Sequence, residues 1–115
     1  MTTIIRIKQI ERQIVQIKEK LANLGPLHPG SLSRQYNVCG KPGCACKKRP
    51  NPQRHGPYYK VSYVYGRRFT SRFVPRQEVK EARLELANYK RLRQLIDEWV
   101  GLSIRLAKEK RKLAA

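Results

Sequence analysis

Cys39-Gly-Lys-Pro-Gly-Cys44-Ala-Cys46-Lys-Lys-Arg-Pro-Asn-Pro-Gln-Arg-His55-Gly-Pro-Tyr58-Tyr59 is the stretch on which the fold turns. It holds all three cysteines of the chain and one of its two histidines, set among Gly, Pro and cations that have no apolar surface to bury. Hydrophobic burial cannot order such a segment, so another link has to. Cys39-x4-Cys44-x-Cys46-x8-His55 supplies three thiols and an imidazole, the ligand set of a closed tetrahedral Cys3His zinc site. Gly40, Pro42 and Gly43 let the chain bend until Cys39 and Cys44 converge. Lys41, Lys47, Lys48, Arg49 and Arg54 offset the negative charge of three thiolates. One structural Zn²⁺ per chain is expected. His28 competes for the fourth position; His55 is preferred because it is nearer and because Gly56-Pro57 fixes its exit into the next segment. Reduced structural thiols are the plainer alternative, and a redox or catalytic cysteine is a third.

Outward from this loop, charge is the dominant feature. The 115 residues carry 26 Lys and Arg against 8 Asp and Glu, a net charge of +18. Residues 25 to 75 hold ten of the cations and no acid. A solvated face mixes signs, so this stretch reads as a surface for a polyanion, and nucleic acid is the expected partner. Lys41, Lys47, Lys48, Arg49, Arg54, Lys60, Arg67, Arg68 and Arg72 are the candidate phosphate contacts. Tyr58, Tyr59, Tyr63 and Tyr65 could stack on unpaired bases, against the alternative that they pack a small core.

Residues 58 to 74 predict a two-stranded β-hairpin, from aromatic and β-branched residues on both sides of Gly66-Arg67-Arg68. A three-residue turn would pair Tyr65 with Phe69, Tyr63 with Ser71 and Val61 with Phe73, gathering the apolar side chains on one face. A two-residue Gly66-Arg67 turn of type II′ would set Tyr63 and Tyr65 beside Arg68, Thr70 and Arg72 instead. The first register is preferred because an isolated hairpin needs an apolar side. Residues 25 to 57, with eleven Gly and Pro, are expected to form the zinc loop without regular structure.

Two helices flank this centre, giving an α+β fold in one domain over 1–115. Ile7, Ile10, Ile14, Ile17, Leu21 and Leu24 form a heptad seam, predicting a helix over 4–24 that Gly25 caps and Pro26 ends. Pro75 opens a second helix over about 76–112, reaching at most 113, with Val79, Ala82, Leu86, Tyr89, Leu92, Leu95, Trp99, Leu102, Leu106 and Leu113 as its stripe. The stripe changes phase between Tyr89 and Leu92. An antiparallel, coiled-coil-like pair with Leu24 near Val79 would leave about 14 residues, ~20 Å of helix, without a partner. That overhang predicts a homodimer or a docked helical protein.

Other classes are excluded or set behind. No apolar run reaches the length of a membrane span, and none follows a basic start as a secretion signal does, so the cytoplasm is the expected compartment. All eight acids lie on the predicted helices, so the centre lacks the carboxylates of hydrolytic zinc or two-metal chemistry, and no glycine loop cradles a phosphate. A non-enzymatic binding role follows, with no small-molecule substrate. The alternatives are an assembly subunit that docks on a ribonucleoprotein or protein through its helices, and, behind it, a thiol or zinc enzyme.

Gly30-Ser-Leu-Ser33, Tyr36-Asn-Val-Cys39-Gly-Lys-Pro-Gly-Cys44-Ala-Cys46 and His55-Gly-Pro-Tyr-Tyr59, followed by a hairpin and a long helix, resemble a family of small basic prokaryotic proteins described only as a domain of unknown function. The resemblance covers roughly residues 28 to 105. It implies that the Cys and His positions act as one unit and that members accompany mobile genetic elements, which favours DNA slightly over RNA. It brings no catalytic residue or substrate.

Overall fold

A computed structural model describes residues 2–37, 43–47 and 55–115. The order of elements is α1 (Thr3–Ala22), β1 (Ser31–Asn37), a single 3-10 turn (Ala45–Lys47), β2 (His55–Tyr65), β3 (Arg68–Val74), a second 3-10 turn (Arg76–Glu78) and α2 (Val79–Ala114). The fold is α+β: two long helices in contact and an antiparallel sheet. The sheet has three strands in the order β1-β2-β3, not the expected two. The chain forms two compact units, one of residues 1–27 and 87–115, the other of residues 28–86. α2 contributes to both.

In the helical unit, α1 starts where the Thr2 hydroxyl accepts from the Ile5 amide at 3.3 Å, satisfying a donor the first turn leaves open. It ends two residues before the expected stop. Asn23 is the C-cap, its amide donating to the Glu19 carbonyl at 3.1 Å. Gly25 takes no left-handed conformation; its role is close approach, since a Cβ there would lie 3.3 Å from Asn88 Nδ2. That Asn88 amide donates to the Pro26 carbonyl at 2.7 Å. Ile10, Ile14 and Ile17 are buried on α1 and Leu95 is fully buried on α2.

Three contacts fix the register of the pair: Asn88 to Pro26, Lys18 Nζ 5.2 Å above the Trp99 ring, and Arg6 3.9 Å from the Glu109 carboxylate. Partner numbers sum to about 115, so the helices are antiparallel, but slid by some three turns from the expected alignment. Leu24 does not meet Val79. The slide removes the overhang, because α1 now reaches α2 close to its C-terminal end. Leu102 and Leu106 are half-buried, while Ile104 and Leu113 stay exposed.

The reason for the slide lies in the sheet unit. Val79, Ala82 and Leu86 from the first turns of α2 are buried with Val61 and Val74, and Leu32, Tyr59 and Tyr63 pack around them. Those first turns are therefore committed to the sheet. The phase change in the stripe at Tyr89–Leu92 marks the passage from one core to the other.

The hairpin adopts the second of the two registers, not the apolar-gathering one: Tyr65 pairs with Arg68, Tyr63 with Thr70, Val61 with Arg72 and Tyr59 with Val74. Gly66 and Arg67 both have positive φ, +58° and +66°, which makes the turn type I′ and not II′. The I′ twist matches that of the strands, and this local preference outweighs the gathering of apolar residues. Opposed residues share a face, so Tyr59, Val61, Tyr63 and Val74 line the face against α2. Tyr58, Lys60, Val64, Phe69 and Phe73 line the other, and stay in solvent or near it.

β1 lies in the segment expected to be irregular. Its pairing with β2 runs from Ser31 opposite Ser62 to Gln35 opposite Tyr58. Gly30 makes the approach possible: its φ is +108°, and a Cβ would run into the Ser62 carbonyl oxygen and the Tyr63 side chain. The amide of His28 donates to the Glu85 carbonyl at 3.0 Å, tying the start of this unit to its helix.

Candidate metal centre and nucleic-acid interface

Two local features converge on the Cys/His group. Gly43, at φ +76°, turns the chain into Cys44, and the Lys47 amide donates back to the Cys44 carbonyl at 3.0 Å, closing the 3-10 turn that carries both Cys44 and Cys46. On the sheet side, the β1-β2 ladder shifts register between Gln35 and Asn37: Gln35 opposes Tyr58, whereas Asn37 opposes His55. Gly56 and Pro57 on β2 thus face one residue, Tyr36, on β1. Such a bulge bends a strand and re-aims the side chain beyond it. Gly56 sits there at φ +132°, where a Cβ would lie 2.8 Å from the Gln35 carbonyl oxygen.

The result is a group of three donors, Cys44, Cys46 and His55, with one ligand atom of each within 4.8 Å of the others. Cys44 Sγ is 3.2 Å from His55 Nε2. Metal–sulfur bonds of about 2.3 Å and metal–nitrogen bonds of about 2.0 Å at tetrahedral angles put ligand atoms about 3.5 Å apart. The group therefore has the dimensions and donor chemistry to hold a metal ion. Cys46 is buried, 1% exposed, while Cys44 and His55 are half-buried. His28 is not part of it: its Nδ1 lies 2.7 Å from the Pro29 carbonyl oxygen and its ring packs edge-on against Tyr63, centroids 4.7 Å apart. Cys39, Lys41, Lys48, Arg49 and Arg54 lie outside the described residues.

The remaining interface candidates divide by face. Lys47 is exposed beside Cys46. Arg67 and Arg68 stand exposed at the hairpin turn and its edge. Arg72 is exposed although it opposes Val61, and so leans from the helix-facing side of the sheet. Lys60 and Tyr58 belong to the open face. No cation of the sheet forms an ion pair among the described residues, whereas Glu109 in the helical unit takes both Arg6 and Lys112. The tyrosines separate as well. Tyr59 and Tyr63 pack the core, Tyr65 is 79% exposed near the turn, and Tyr58 is 41% exposed on the open face. Phe69 and Phe73, 68% and 65% exposed on that same face, are absent from the candidates the sequence suggests; the parity of β3 around buried Val74 is the signal that identifies them.

This is a small, strongly basic α+β protein whose sheet-containing unit carries a Cys/His group with the dimensions of a possible metal site. The chain belongs to the domain of unknown function DUF6788, whose family model matches residues 7–84. The match begins inside α1 and ends at the second turn of α2, so it spans the whole sheet and stops short of the buried Leu95. Neither curated proteins nor solved structures give a match. No helix among the described residues is long and apolar enough to cross a membrane.

Proposed function

We propose that this protein is a non-enzymatic, zinc-stapled nucleic-acid-binding protein. The observation that carries the reading is the stretch 25–75, ten cations without one acid, of which Arg34, Lys60, Arg68 and Arg72 lie on the sheet strands and form no ion pair among the described residues. Cations left uncompensated by the fold are available to phosphates. Zn²⁺, one per chain, would be held by Cys44, Cys46 and His55, with Cys39 as the fourth ligand closing the site. A closed site serves structure: it would hold the Lys47 side of the loop against the end of β2. The reduced thiols that zinc requires fit a cytoplasmic protein. The resemblance to companions of mobile elements favours DNA slightly over RNA, as an accessory factor of such an element.

Two measurements test this. Protein purified without added zinc should carry one Zn per chain, and a metal-free preparation whose sheet unit keeps its near-ultraviolet signal and its stability would overturn the staple. Binding to duplex DNA, single-stranded DNA and RNA should weaken steeply with salt; no binding at low salt to any of the three would overturn the function. Arg67→Gly is a clean probe of charge, because glycine takes the positive φ of Arg67 without strain. It should leave the melting temperature unchanged or slightly higher, weaken binding across sequences, and reduce the salt slope by about one.

A second reading has one observation in its favour. Ile96, Val100 and Ile104 recur every four residues on α2 at 44%, 52% and 54% exposure, a stripe that would seat a helix of a second copy or of an assembly partner. Light scattering decides it: a monomer at micromolar concentration that stays monomeric on nucleic acid removes the homodimer.

A further inference from the structure

We infer that the open face of the sheet is a stacking platform for unpaired bases, so that the ligand is single-stranded and is gripped by Phe69 and Phe73 with Tyr58. The inference rests on the nucleic-acid reading and goes further, naming the strand state and the side chains that take the bases. Both phenylalanines of the chain stand on this face, 68% and 65% exposed. Burial of such rings is worth too much for a core-poor unit to leave them out by default. Their orientation follows from the register: once Val61 and Val74 face α2, residues 69 and 73 must face away.

The face is built around a small polar floor. Ser62 opposes Ser71, their hydroxyls 2.6 Å apart, and Ser31 continues the row on β1. Low side chains between tall rings leave room for flat ligands. Phe69 and Phe73 are four residues apart on one strand, about 13 Å, too far for a single base, so the smallest ligand has two or more nucleotides. Tyr58 meets Phe73 edge to face, centroids 6.4 Å apart, and the two border a groove of about 440 Å³ at the end of the sheet, lined also by Pro57, Tyr59, Val74, Pro75 and Arg76. Lys60 opposes Phe73 on the same face, where an ammonium can meet the phosphate next to a stacked base.

Charge chooses among occupants. No acid occurs between residues 25 and 75, so a second copy laid on this face would bring like charge against like charge. A nucleic-acid strand brings the opposite charge. A duplex keeps its bases stacked inside and offers these rings nothing, whereas a single strand exposes the π-faces they need.

The test uses the full zinc-loaded chain, a fluorescent oligothymidine and a duplex of equal length, with Phe69→Ala, Phe73→Ala, Phe69→Tyr, Phe73→Tyr and Arg68→Ala variants. Each alanine variant should melt like the wild type, lose about five- to a hundred-fold in single-strand affinity, keep the salt slope, and leave duplex binding unchanged. The tyrosine variants should restore single-strand binding. Alanine variants that bind the oligothymidine normally while Arg68→Ala weakens it would overturn the platform and leave the charge-based reading standing. The platform also falls, with that reading intact, if the wild type prefers duplex or if the alanine variants only turn an oligomer into a monomer. Failure of the wild type to bind any of the oligothymidine, the duplex and a single-stranded RNA of the same length overturns both.

Discussion

At the scale of single residues, the two histidines show how context divides identical side chains. His55 leaves a β-bulge toward Cys44, 3.2 Å away, whereas His28 is spent on Pro29 and Tyr63. His55→Ala should therefore abolish stoichiometric zinc, while His28→Ala should keep it and lower stability; elemental analysis alongside urea denaturation separates the two. Gly30 is the other decisive residue. Gly30→Ala combines a strained positive φ with a collision against the Ser62 backbone, so it should cost about 2 kcal/mol or more in urea denaturation. The grouping of Cys44, Cys46 and His55 was legible in the sequence, because few other roles gather thiols and imidazole among Gly, Pro and Lys. The need for glycine at position 30 was not. It arises from a strand 32 residues further along the chain.

At the scale of elements, the helices read well and the sheet read poorly. The Ile10, Ile14, Ile17 seam and Leu95 are buried as their 3,4 spacing implied. A long periodic segment carries its own pattern. β1, Ser31-Leu-Ser-Arg-Gln-Tyr-Asn37, has little strand propensity and forms because β2 offers an edge; propensity in sheets follows context. The hairpin register turned on a type I′ turn at Gly66-Arg67, a preference of the turn backbone that prevailed over apolar clustering. For the helix pair, Leu95→Ala should destabilise by about 2–5 kcal/mol, since it empties a fully buried site. Exposed Ile104→Ala should change stability by no more than about 0.5 kcal/mol, and thermal denaturation of the two variants side by side checks the difference.

At the scale of the whole molecule, two apolar cores share one chain, and the Cys/His group lies in the unit of the second. The helical unit buries Ile10, Ile14, Ile17 and Leu95 and contains none of Cys44, Cys46 and His55. The 20 residues of α1 and 36 of α2 should accordingly keep most of the far-ultraviolet helical signal when a chelator is added. Nucleic-acid affinity should fall in the same sample as the Cys44–Cys46 turn is released from His55. Loss of the helical signal in step with the metal would contradict this division of labour.

The sequence by itself determined the amphipathic helices, the hairpin's location, the Cys and His side chains that could hold a metal and the sign and concentration of charge, all properties set by neighbours a few residues apart. Tertiary structure alone decided the third strand, the three-turn slide of the helix pair, the separation of Tyr59 and Tyr63 from Tyr58, and the outward turn of Phe69 and Phe73. Each depends on which distant segment supplies a partner. Strand parity has no preferred face until a helix covers one of them, and α2 covers the face of Val61 and Val74.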